Sequence, residues 1–189
     1  AFAARLYERT RGNALFLVES LRTLLEQQVL ACTLDGRWVL SPEQLASSVS
    51  VSIHDIVADR LLRLEPVLRE VLEQIAVLGD DADFPVLVRV GDGSPTALLS
   101  ALAKLKHYGF LVETEARYQF EHERVREFVS QAIERERGLA LHRQVGAVLE
   151  ELQPERVEVL AHHFDLGEAW DKALAYTVQA GERASAVHA

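Results

Sequence analysis

The sequence predicts a mainly α chain that carries two small β-hairpins. Three observations lead there. Apolar residues recur at helical spacing over most of the length. Two pairs of β-prone runs are each split by a short polar turn. Prolines and glycines stand where helices would start and stop. Of the 189 residues, 49% are hydrophobic and 26% charged, a balance that supports packed cores rather than disorder.

Residues 1–30 read as two helices. Phe2–Arg9 is short, and Thr10-Arg11-Gly12-Asn13 breaks it, with Asn13 a natural cap. Leu17, Val18, Leu21, Leu24 and Leu25 then keep helical spacing to about Gln28. Val29–Leu34 and Arg37–Leu40 flank Asp35-Gly36, a two-residue hairpin signal. Cys32 falls in the first of these runs and is expected to be buried and inert. Ser41-Pro42-Glu43-Gln44 resembles a capping box, but Ser47–Ser50 is too polar to extend it, so the first segment is 1–50.

A second segment, 51–135, opens on the capping box Ser52-Ile53-His54-Asp55, with Ile56, Val57, Leu61 and Leu64 on a helical face. Pro66 restarts a helix with the stripe Val67, Leu68, Val71, Leu72, Ile75 and Val77-Leu78, stopped by Gly79. Asp80-Asp81-Ala82-Asp83 reads as a surface turn whose charge favours the next helix N-terminus. Phe84–Val90 is short and β-branched, yet a lone strand there has no obvious partner, so it reads as helix, ended by Gly91-Asp92-Gly93. The rest of the chain leans on Ser94–Ile133. Ser94-Pro95 starts a helix, Thr96–Tyr108, with Leu98, Leu102 and Leu105 and, beside them, Leu99 and Ala101 on its apolar face. Gly109 suits its left-handed exit. Phe110–Val112 and Tyr118–Phe120 flank the turn Glu113–Arg117, and a further helix carries Val125, Phe128, Val129 and Ile133. Helix, hairpin and helix in this order, with helices upstream, read as a winged-helix domain.

The third segment, 136–189, continues a long helix, Glu134–Leu152, with Leu139, Leu141, His142, Val145, Val148 and Leu149 inward. Gln153-Pro154 breaks it. Val157–Phe164 and Ala169–Ala184 then form an antiparallel pair around Asp165-Leu166-Gly167, with alanines at 169, 173, 175, 180 and 184 permitting close packing. Such a pair reads as the first unit of a TPR-like helical array or as a plain bundle.

Charge narrows the functions. The net charge is −9 and the pI about 5.3, which disfavours non-specific binding to nucleic acid or an anionic membrane. No apolar run approaches the roughly 18 residues that span a bilayer, and one cysteine fits a reducing, cytoplasmic setting. The chain begins in a helical pattern without Met and ends in one, so it is expected to be a piece of a longer protein.

Several stretches, taken in order, resemble bacterial STAND ATPases, the signal-transduction ATPases with numerous domains. Gly12-Asn13-Ala14-Leu15-Phe16-Leu17 resembles the Gly-Asn-Pro-Leu-Phe-Leu segment that opens that family's helical lid. The run from Tyr118 through His122 to Arg126-Glu127 resembles its aromatic-x-His-x-x-x-Arg-Glu stretch. Leu141-His142-Arg143 and Leu160-Ala161-His162-His163-Phe164 resemble stretches before the helical repeats. The resemblance implies a lid remnant in 1–50, a winged helix in 51–135 and the start of TPR-like repeats in 136–189, as in LuxR-type regulators, class III nucleotide cyclases and large Ser/Thr kinases. It implies ATP or ADP with Mg in the full-length parent, held between the ATPase core, the lid and the winged helix. His122 would sense the ADP β-phosphate, and Arg11, Gly12 and Asn13 would lie near the nucleotide. Ala14 departs from the family's proline beside the adenine. The expected partners are the parent's own ATPase core and the downstream repeats, with self-association a further option.

Nothing matches G-x-x-x-x-G-K-[ST], so this chain alone is expected neither to hydrolyse ATP nor to hold a cofactor. No nucleophile and base stand at suggestive spacing. Arg126-Glu127 reads more simply as a structural charge pair or a solvated helix face, Arg11 as a surface arginine, and His122 as a hairpin-fixing histidine. His162-His163 with Asp165 invites a metal, but adjacent helical residues point about 100° apart. His142 reads as packing. The alternative function is a DNA-binding winged-helix transcription factor, with Lys104, Lys106 and His107 toward the groove and Arg117 on the wing. Against it, residues 51–135 carry 10 Lys and Arg against 15 Asp and Glu, a net −5, where phosphate contact needs the opposite sign.

Overall fold

The computed structural model of the chain describes residues 3–4, 6–7, 14–26, 28–33, 35–41, 58, 60–91 and 94–187. The described residues are mainly helical and carry two antiparallel β-hairpins. The chain divides into two compact units, 1–64 and 65–189. The break Thr10–Asn13, the capping boxes at 42–44 and 52–55, and the proposed boundary at Ser47–Ser50 lie outside the described residues.

In the first unit, helix α1 (Ala14–Glu26) leads into a hairpin of β1 (Leu30–Cys32) and β2 (Trp38–Leu40). Leu24, Val29 and Leu30 form a small core, with Leu21 and Leu40 packed against it. Gly36 takes the left-handed conformation at φ +75°, as the Asp35-Gly36 signal requires. The hairpin, however, closes between Thr33 and Arg37, whose backbones bond at 2.8 Å and whose Thr33 hydroxyl also joins in. Cys32, expected to be buried, is exposed: it shares a strand face with buried Leu30 but stands at the strand's far end and is not part of that core.

The second unit is built around α2 (Pro66–Leu78). Proline at its first turn costs no hydrogen bond, and Leu68, Val71, Leu72, Ile75 and Leu78 are buried, while Val67 faces solvent. Gly79, at φ +59°, ends the helix and begins a short 3-10 turn, Gly79–Asp81. Asp83 then accepts from the Val86 N–H at 2.9 Å and caps α3 (Phe84–Val90). Phe84–Val90 is thus helix as expected, and the residue before it, Asp83, makes an isolated antiparallel bridge with Arg117.

Helix α4 (Pro95–His107) starts on Ser94, whose hydroxyl accepts from Ala97 N–H at 3.1 Å. It ends in a Schellman arrangement. Gly109, at φ +68°, donates to the Lys106 carbonyl and Phe110 to the Leu105 carbonyl. Leu98, Ala101, Leu102 and Leu105 are buried; Leu99 is not. Strands β3 (Leu111–Thr114) and β4 (Arg117–Phe120) follow, in the register Leu111 to Phe120 and Thr114 to Arg117. The turn is tighter than Glu113–Arg117. Glu115 and Ala116 alone make it, both with positive φ, the backbone form that suits strand twist.

The chain continues in α5 (Glu123–Ala132), α6 (Arg135–Leu152), α7 (Val157–Leu166) and α8 (Trp170–Val187). Ile133, expected on the α5 face, is extended and ends that helix. Helix α6 docks on α2 and α3. Arg137 bridges to Glu70 and Glu73 of α2, the Gln144 amide donates to the Val90 carbonyl at 2.7 Å, and Arg89 of α3 pairs with Glu151. Residues 136–187 therefore pack in the same unit as the β3–β4 hairpin.

Helices α6 and α7 approach closely at Gly146. A methyl group there would meet the buried Phe164 ring at 2.9 Å. Of the alanines expected to allow close packing, Ala173 is buried and Ala175 and Ala184 are exposed. Gly181 of α8 has open space around it. Gly146→Ala is therefore expected to lower stability by on the order of 1 kcal/mol despite the gain in helix propensity. Gly181→Ala should raise it by up to about 1 kcal/mol. Urea midpoints of the two variants moving in the same direction would contradict this packing.

Candidate functional site

Two places gather the chemistry that the sequence singled out. The first is the junction of β4 and α5. His122 occupies the N-cap position of α5 in extended conformation, is partly exposed, and makes no side-chain capping bond. Its carbonyl takes over the cap, accepting from the Val125 and Arg126 N–H groups. Beside it opens a cleft of about 470 Å³. The walls are Ile75 and Gly79-Asp80 at the end of α2, Gln119-Phe120 of β4, and Glu123 and Arg126 of α5.

Arg126 is the cation of this cleft, and it is engaged. Its Nε donates to Glu123 Oε1 at 2.8 Å, and its Nη1 reaches the Ala76 carbonyl at 3.5 Å. The hydrogen bonds from Arg126 hold the Glu123 carboxyl below the usual carboxylate range. An anion entering the cleft would compete with Glu123 for the guanidinium. Of the two readings of Arg126-Glu127, a charge pair or a solvated helix face, Glu127 fits the second, being exposed, while Arg126 pairs with Glu123 one helical turn back. Arg11, Gly12 and Asn13 lie outside the described residues.

The second place is the α6–α7 contact, where two sequence stretches meet residue by residue. His142 Nδ1 and His163 Nδ1 stand 3.0 Å apart. Arg143 donates from Nε to the Gly167 carbonyl, and Phe164 fills the notch at Gly146. The His162 ring lies edge-on to His142 with centroids 6.4 Å apart. His142 was expected only to pack. It has a polar partner because α7 folds back antiparallel to α6, a pairing that spacing along one helix does not reveal. Among the described residues no group of three or more His, Cys, Asp or Glu side chains is placed to hold a metal ion.

No family model, curated protein or solved structure matches this chain.

Of the residues that would read DNA, the two lysines are paired. Lys104 pairs with Glu65 at 2.9 Å and Lys106 with Glu113 at 2.5 Å. Both ammonium groups are held above their ordinary range, first by those hydrogen bonds. The exposed first turns of α4 carry Thr96, Ala97, Leu99 and Ser100, with no cation among them.

Freeing Arg126 should open the β4–α5 cleft to anions. Glu123→Gln is expected to tighten pyrophosphate binding by roughly fivefold, the scale of one exposed ion pair at about 1 kcal/mol. Titration followed by the His122 ring resonances checks it; an unchanged affinity would mean that Glu123 does not gate the guanidinium.

Proposed function

We propose that this chain is a non-catalytic regulatory fragment of a STAND-family signalling ATPase or transcription regulator, relaying nucleotide state between the ATPase core and sensor repeats through protein–protein contacts. The observation that carries this reading is the shared core of the second unit. Strand β4 and helix α5, which flank His122, pack on α2, and so does α6, which leads to the α7–α8 pair. A displacement at the β4–α5 junction therefore bears on the same helix that seats α6, and close-packed interiors pass such strain on.

The order of elements supports a winged helix for the hairpin-bearing part. Helix α2, the single bridge at Asp83, helices α3 and α4, the β3–β4 hairpin and α5 follow the connectivity of that fold. Pairing of α7 with α8 supports the start of a TPR-like array. In the parent, ATP or ADP with Mg would lie against His122, with Arg11, Gly12 and Asn13 near it in the lid. The imidazole suits a sensor, since it donates to phosphate and gains charge when protonated. A switch needs two states that the ligand binds unequally, and His122 would make its contact only in the ADP-bound, docked state.

The rival, a DNA-binding winged helix, needs cations free on α4, whereas Lys104 and Lys106 are each paired with a carboxylate. In the parent ATPase, His122→Ala should speed ADP release by roughly tenfold, the cost of losing one hydrogen bond to a charged group. Unchanged release together with unchanged signalling output would remove the sensor role. The chain itself should leave a DNA duplex unshifted at low salt, and retardation would favour the DNA-binding alternative.

A further inference from the structure

The two imidazoles at the α6–α7 contact take no part in the proposed relay. Their nitrogens face each other at 3.0 Å, a separation at which one ring presents an N–H and the other a lone pair. We propose that His142 and His163 form a one-proton latch that holds the α7–α8 hairpin on α6 near neutral pH and releases it on acidification.

The proton balance is simple. In the closed latch a single proton lies between the two Nδ1 atoms, bonded to one and accepted by the other. A further proton on the accepting nitrogen turns N–H···N into two N–H groups pointing at each other. The hydrogen bond is then lost and that ring is an imidazolium; a second proton, on the free Nε2 of the other ring, sets two imidazolium charges at contact distance. His163 is only 3% exposed, so its ring reaches water only if α7 moves. The His162 ring lies 5.5 Å from His163 and 6.4 Å from His142.

The surrounding charges have their own engagements. On α6, Arg143 donates to the Gly167 carbonyl, and Glu150 takes Lys172 and Tyr176 of α8. In the α7–α8 turn Glu168 takes Arg135, while Glu158 and Asp165 of α7 are exposed. On α8, Asp171 is exposed and Arg183 donates to the Glu155 carbonyl. Glu70 and Glu73 of α2 take Arg137, and Arg89 of α3 takes Glu151.

Burial first, and the charge of His162 second, push the His142 imidazole below its ordinary value. A histidine depressed in the folded state binds its proton more readily when released. The latch is thus at full strength above about pH 6.5, the free-imidazole value, and weakens as the pH falls below it. Each proton taken up on opening shifts the open population by about tenfold per pH unit.

The test is hydrogen exchange on the unmodified chain between about pH 7.5 and about pH 5, corrected for intrinsic rates, with the ring ¹⁵N shifts recorded alongside. Protection in α7 and α8 should fall at least tenfold relative to α2, in step with protonation of the His142 and His163 Nδ1 atoms. His142→Gln, whose amide bonds His163 without titrating, should blunt the fall, and His162→Gln should keep most of it. Flat protection over this range overturns the latch. So does a loss of protection while both rings remain neutral.

Discussion

Burial of one helix, α2, organises the second unit. Leu68, Leu72 and Ile75 are almost wholly enclosed, and α2 packs against α3, α4, α5, α6 and β4. Each such side chain contributes roughly 2 kcal/mol relative to exposure. The neighbouring elements bury apolar side chains of their own: Leu102 and Leu105 from α4, Val125 and Val129 from α5, and Leu141 and Val145 from α6. A two-stranded hairpin such as β3–β4 is marginal alone and becomes stable when packed against helices.

What α2 joins is two kinds of chemistry. At one end, Gly79-Asp80 and the Ala76 carbonyl help to wall the β4–α5 cleft beside His122, where Arg126 is bound by Glu123. Along its first half, Glu70 and Glu73 hold Arg137 of α6, the helix that carries His142 and Arg143 to the α7 contact. The polar contacts at the cleft and at the α6–α7 interface thus rest on the same apolar support. Exposed ion pairs such as Arg137 with Glu70 add little energy of their own, so burial holds α6 and the charges fix its register.

The helices were legible where a chemical stop coincided with the end of the apolar pattern. Ser94-Pro95 and Gly109 bracket α4, Pro66 and Gly79 bracket α2, and Gln153-Pro154 closes α6. The β3–β4 turn was read as too long because Glu115 and Ala116 are not the Asn or Gly that usually announce positive φ. Cys32 was misjudged because the small core reaches only the first residue of its strand, Leu30, and not the far end of the same face. At the candidate sites, His122 was visible as a residue, but its freedom from capping was not. The facing of His142 and His163 depends on how α7 folds back, a long-range fact that no single helical face encodes. Arg126 likewise bonds Glu123 rather than its neighbour Glu127, because residues three apart share a helix face and adjacent ones do not.

The central claim is that α2 couples the hairpin-bearing helices to α6 as one cooperative body. Native-state hydrogen exchange in rising urea at about pH 7.5 tests it most directly, because elements that open together share one free energy and one urea slope. The account predicts that the slowest amides of α2, α4 and α6 merge onto a single opening. If α6 instead exchanged through a separate opening of distinctly lower free energy, with α2 and α4 still protected, the relay would have no physical basis.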